Sequence, residues 1–246
     1  MSNSLFTVWP YGAFAVFIAG VGLSCVLASS RMVRQRARLH ELQTLSPQWW
    51  AWGPSLLALS LLHLLGLLFP HSVILWDLAP VRLYVLEGIS LCAGLLALWS
   101  GVRVVLGYLR SPARSMAWEC MDGIFWSLLF VAMLSGVLMA ILYRWASSWG
   151  GTTLTPYVLS VLAGKPAANL VVAMPFLVRL HVFSAFAALA IFPFSRICFL
   201  LMVVLAAVLD RVMRPLRTWA EAQGAAIVLW WRAHDPILWI LQDEED

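Results

Sequence analysis

Two of the five histidines in this chain, His63 and His181, lie inside long apolar segments. An imidazole is costly at membrane depth unless it is paired, hydrogen-bonded or ligated, so each is a candidate functional group. His63 stands seven residues before Pro70, and His181 six residues after Pro175. At 1.5 Å of rise per residue both rings lie roughly 9 to 10 Å inside the same boundary of the hydrocarbon. Two imidazoles at one level on different helices have the arrangement of a bis-imidazole haem, whose iron takes one axial nitrogen from each face of the porphyrin. The same depth also suits a polar contact between two packed helices. Leu61, Leu62, Leu64, Phe183 and Ala185 supply apolar walls in either case, and Gly66 lets a flat ring approach the backbone.

Four further polar residues lie near that level. Arg179 has the guanidinium geometry for bidentate pairing with a carboxylate such as a haem propionate, or snorkels to the surface as an ordinary interfacial arginine. His71, just past Pro70, is a candidate partner for a propionate or a quinone, or a plain interfacial histidine. Glu87, with Arg82 five residues earlier, is the nearest carboxylate, and a buried carboxylate can take a proton from quinol near neutrality. The bland alternative is that Glu87 pairs with Arg82 or with another helix. Glu119 and Asp122 open an apolar segment, where the helix dipole alone accounts for acids. Cys25, Cys92, Cys120 and Cys198 are scattered without metal-ligand spacing and are expected to be small packed side chains.

The elements that must position these groups follow from composition. Of 246 residues, 62% are hydrophobic and 11% charged, too little polar surface for a soluble globule of this size. In a bilayer the backbone must satisfy itself, so apolar segments near 20 residues long are expected to be helices. Five spans are predicted, at about 11–29, 49–69, 83–109, 124–142 and 176–203, followed by a tail over 210–246 whose tryptophans suit the headgroup layer. The fold class is an all-α five-helix membrane bundle with an interfacial carboxyl-terminal tail, in one domain over 1–246. The last span is expected as one helix, kinked at Pro193. The net charge of +4 rests on arginines with Lys165 as the one lysine. It orients the chain and gives no reason to expect nucleic acid. Arg31, Arg34, Arg36 and Arg38 follow the first span, Arg110 and Arg114 the third, and Arg211, Arg214 and Arg217 the fifth. This places the amino terminus outside and the carboxyl terminus in the cytoplasm.

The runs Leu62 to His71 (LHLLGLLFPH), Phe176 to His181 (FLVRLH) and Phe192 to Arg196 (FPFSR) together resemble the gamma subunit of respiratory nitrate reductases, over about residues 8 to 217. The resemblance implies a cytochrome b of a bacterial or archaeal cytoplasmic membrane that moves electrons between quinone and an iron–sulfur subunit, itself joined to a catalytic subunit. It implies that His63 and His181 hold the outer haem b. The ligands of a second, inner haem fall at Gly53 and Phe199, which cannot bind iron, so one haem is expected unless Met202, His40 or His234 substitutes. A lysine that the family places in its quinol site near the start of span three is missing; Arg82 and Glu87 are the polar groups there. Rival expectations are a haem-free anchor that only tethers a partner, or the cytochrome b of a hydrogenase or a sulfur-metabolism complex.

Overall fold

The computed structural model describes residues 2–43, 49–109, 116–143 and 145–233. The side chains of the basic run Arg31 to Arg38 and of Cys25, His40, Arg110, Arg114, Glu119, Phe199 and Met202, together with Arg144 and His234, lie outside that description. Among the described residues the chain is helical with no strand. Five helices among the described residues are long and apolar enough to cross a membrane, with spans at Ser4–Ser24, Ala51–Leu68, Pro80–Gly107, Cys120–Leu142 and Phe176–Phe194. The chain is a multi-pass membrane protein.

The elements in order are α1 (Ser2–Gln43), α2 (Trp49–Leu68), α3 (Pro70–Asp77), α4 (Pro80–Leu109), α5 (Met116–Leu142), α6 (Ala146–Trp149), a π turn (Gly150–Leu154), α7 (Thr155–Leu162), α8 (Asn169–Val172), α9 (Phe176–Ile191), a 3-10 turn (Phe192–Phe194) and α10 (Arg196–Ala233). By contacts the chain divides into two compact units, residues 1–198 and 199–246. In the first, α2 packs on α4, α4 on α5, α5 on α9, and α9 on α1. Its core lies where α1, α7, α8 and α9 meet, around Phe6, Ala13, Tyr157, Val171, Val182 and Phe186. Tyr157 donates its hydroxyl to Phe6 O at 2.9 Å, and Tyr11 donates to Val161 O at 3.0 Å. Two phenols thus tie α7 to the start of α1, and the Tyr157 hydroxyl meets a Phe6 carbonyl whose helical donor is lost at Pro10. Leucines and valines on the outer faces of the spans stay exposed, as lipid-facing side chains do.

Two boundaries differ from expectation, the start of the first span and the end of the last. The first helix begins at Ser2 and carries Pro10, fully buried, within it. The connections after α2 and α5 are not plain loops: α3 begins at Pro70, and α6, the π turn, α7 and α8 fill 146–172. The last span does not continue to residue 203. Pro193 lacks the N–H that would extend α9, so the helix ends at Ile191 and the 3-10 turn follows. Ser195, extended at φ −87° and ψ 154°, then starts a new helix: its hydroxyl donates to Phe192 O at 2.7 Å and accepts Cys198 N–H at 3.3 Å. This is an N-cap. Gly20 lets α1 approach this turn, since a Cβ there would stand 2.7 Å from Pro193 Cβ, and Ser24 Oγ donates to Pro193 O at 3.2 Å.

The second unit is one helix as far as Ala233, with Pro215 inside it. Asp210 pairs with Arg214 at 3.1 Å and Arg217 at 3.2 Å on its exposed surface. Leu209, Val212, Leu216 and Trp219 are exposed there too.

Candidate functional site

His63 lies five residues inside the end of α2, and His181 five residues inside the start of α9. Both are about 7.5 Å below the same end of the bundle. The two rings face each other with centroids 6.0 Å apart and planes at 24°. The span of α2 is 11% buried within the chain and that of α9 44%, so α2 presents His63 from an exposed face while α9 holds His181 against α5.

Each ring is oriented by a backbone carbonyl. His63 Nδ1 bonds to Leu59 O at 2.7 Å, and His181 Nδ1 to Ala132 O at 2.9 Å. A carbonyl only accepts, so in both neutral rings the proton is on Nδ1 and the lone pair is on Nε2. Ser135 Oγ stands 3.3 Å from His181 Nδ1 and donates to Val131 O at 2.7 Å, which turns a hydroxyl lone pair to the shared N–H. Gly136 gives the ring its place, because a Cβ there would be 3.2 Å from His181 Cε1. A metal–imidazole nitrogen bond of about 2 Å on each side of one ion puts the two ring centroids about 6 Å apart. The observed centroids are 6.0 Å apart with the ring planes 24° from parallel, and on each ring Nδ1, not Nε2, is the nitrogen bonded to a carbonyl.

The remaining expected residues fall elsewhere around this pair. Gly66 lies on α2 with open space where a Cβ would be. His71 is exposed on α3. Glu87 does not pair with Arg82. Its Oε1 accepts both the N–H and the hydroxyl of Ser147 at 2.8 Å each, which anchors the first turn of α6 to α4. Arg82 lies over the Trp76 ring instead, 5.3 Å from its centroid, a cation–π contact. Arg179 leaves α9 about 160° around the helix from His181. It shares its side with Phe183, which stacks on Trp9 of α1 at 5.2 Å, and its Nε is buried without a hydrogen-bond partner. Cys198 is buried, whereas Cys92 and Cys120 are exposed. Asp122 is buried.

One level further in, about 15 Å from the histidines, the bundle holds aromatic rings. Trp52 on α2 is 3% exposed and meets Trp126 of α5 at 5.0 Å. Phe125 contacts Phe192 at 5.9 Å, and Phe192 contacts Phe17 of α1 at 6.3 Å. Gly53 lies in this layer beside Trp52 and has open space at its Cβ position.

A family model for the nitrate reductase gamma subunit matches residues 2–216. The chain belongs to the nitrate reductase gamma subunit family. Comparison with curated proteins gives no match. Membership in this gamma family implies a membrane cytochrome b subunit of a respiratory complex, partnered by the other nitrate reductase subunits. The match takes in all five spans and the FPFSR run, which forms the 3-10 turn after α9 and the N-cap of α10.

Sequence reasoning missed Ser135, Gly136 and the Ala132 carbonyl. A glycine and a serine side by side within an apolar helix carry too little information to be matched to a ring 46 residues on. It also missed Ser147 and Ser148, which bind Glu87 and Asp77; Ser148 Oγ donates to Asp77 Oδ2 at 3.0 Å.

Proposed function

We propose that this chain binds one b-type haem between His63 Nε2 and His181 Nε2, and moves electrons between membrane quinone and an iron–sulfur subunit of a larger redox complex. The observation that carries the reading is the facing pair of imidazoles, 6.0 Å between centroids, each with Nδ1 committed to a carbonyl. The bound haem would supply one-electron chemistry at a potential set by its axial ligands and their hydrogen bonds. The chain's contribution is to hold both rings in the Nδ1–H tautomer, with Nε2 left to ligate, and to keep apolar side chains around them.

A single haem is the expected stoichiometry. Gly53 has no ligating atom, and Trp52 and Trp126 occupy the adjoining level. The position expected for the other inner ligand, Phe199, follows the break at Ser195.

On this reading quinone binds near Arg82 and Glu87, the polar groups in the first two turns of α4. With Oε1 engaged by Ser147, Oε2 is the oxygen assigned to receive a proton from quinol. His71 and Gly66 line the neighbouring end of α2 and α3. Arg179, on the side of α9 turned to α1 and with its Nε buried and unpartnered, is the candidate for a haem propionate. The arginine distribution puts the amino terminus outside and the carboxyl terminus in the cytoplasm of a bacterial or archaeal cell.

The test is a reduced-minus-oxidised spectrum of the purified, haem-replete protein. A split alpha band is expected, at one haem per polypeptide, and His63→Ala and His181→Ala should each abolish it. A protein expressed with ample haem that shows no such band overturns the reading and leaves a haem-free anchor.

A further inference from the structure

The carbonyl of Gly66 in α2 lacks its helical donor. In a continuous helix it would accept the N–H of residue 70, but residue 70 is Pro70, which has none. One residue earlier the pattern holds, with Phe69 N–H on Leu65 O at 2.9 Å. The Gly66 carbonyl instead accepts the hydroxyl of Thr155 at 3.0 Å, across 89 residues of sequence. Thr155 is 7% exposed, so its hydroxyl is drawn from the interior.

The π turn aims that hydroxyl. Thr155 N–H bonds to Gly150 O, five residues back. The extra residue shifts all that follows by about 100° relative to an unbroken α-helix. Pro156 comes next, and its ring would crowd the carbonyl four residues back in a tight helix; the widened turn accommodates it. Gly151 on the same turn packs on α3, since a Cβ there would lie 3.4 Å from Ile74 Cγ1 and 3.8 Å from Pro70 O. The segment between α5 and α9 is therefore applied to the end of α2 at the one carbonyl that Pro70 leaves open.

His63 lies one turn before Gly66, on the same face. We propose that Thr155 is a positioning residue for His63: by closing the Gly66 carbonyl it holds the last turn of α2 in register and so fixes where the His63 imidazole stands opposite His181. The proposal rests on the haem reading above.

Thr155→Val removes the hydroxyl and keeps the shape; Thr155→Ser keeps the hydroxyl; Thr155→Ala removes hydroxyl and bulk together. Two readouts apply: haem retention against an apoprotein that competes for haem, and the low-field g value of the ferric haem, which reports axial-ring orientation. Thr155→Val is expected to weaken retention by up to about tenfold, the lower range for outer-shell partners of metal-bound histidines, and to shift the g value. Thr155→Ser should match the parent. Parent-like retention and g value in Thr155→Val, or a Thr155→Ser protein that behaves as Thr155→Val does, overturns the proposal while the haem reading stands. Should Thr155→Val fail to fold, Thr155→Ala is read in its place by the same two measurements. Failure of the parent itself to bind haem removes the haem reading, and the role of Thr155 with it.

Discussion

His181 Cε1 would lie 3.2 Å from a Cβ at position 136, where the chain has glycine. The ring that faces His63 is thus seated against bare backbone of α5, with Ala132 O and Ser135 Oγ on its Nδ1. An alanine favours the helix by about 1 kcal/mol over glycine, yet it must push the ring by a few tenths of an ångström. Gly136→Ala is therefore expected to unfold no earlier than the parent on heating, while haem per polypeptide falls several-fold. Equal haem content in the two proteins would show that the close approach is not needed for ligation.

Glu87 separates two roles that one carboxylate can hold. Glu87→Gln keeps an oxygen for Ser147 and loses the ability to take a proton. The expected result is an intact spectrum and unchanged melting, with quinol-dependent haem reduction slowed by about 10²-fold or more. Glu87→Leu removes the acceptor of both Ser147 bonds and should in addition cost about 1.5 to 3 kcal/mol of stability, the range for hydrogen bonds to a charged group. Stopped-flow reduction by a quinol analogue, read beside thermal unfolding, distinguishes them. A Glu87→Gln protein reduced at the parent rate would assign Glu87 to anchoring α6 alone.

Tyr157 predicts an alkaline limit. Burial, and then the neighbouring Tyr11, push its phenol up to about 12 from 10.0. The folded state therefore holds this proton more tightly than the unfolded chain, so its contribution is complete below pH 10 and is lost between pH 10 and 12. Tyr157→Phe removes the bond to Phe6 O, at a cost of about 1 kcal/mol near neutrality, and should flatten the fall in stability over that window. Melting temperatures in detergent from pH 8 to 12 test it; parallel curves for parent and variant would contradict it.

Much of the fold was legible because hydrocarbon leaves the backbone few choices. The five spans and the common depth of His63 and His181 follow from segment length, rise per residue and the flanking prolines. Pro193 signalled an interruption, but a kink and a full break differ by whether a cap stands nearby, and Ser195 as that cap emerges only when its hydroxyl meets Cys198 N–H. The segment 146–172 was opaque for another reason. Its short helices are held by distant contacts, Glu87 to Ser147, Thr155 to Gly66 and Tyr157 to Phe6, which no local periodicity encodes. One clue was readable: a proline four residues after Gly66 leaves a carbonyl in need of a donor.

The contacts from Trp52 through Trp126 and Phe125 to Phe192 and Phe17 have an effect on ion traffic. A proton crosses hydrocarbon along a file of groups that both give and accept hydrogen bonds, and of these five side chains only the indoles have a polar atom, which donates and never accepts. These five side chains therefore form no relay: a proton handed to any one of them has no lone pair to land on.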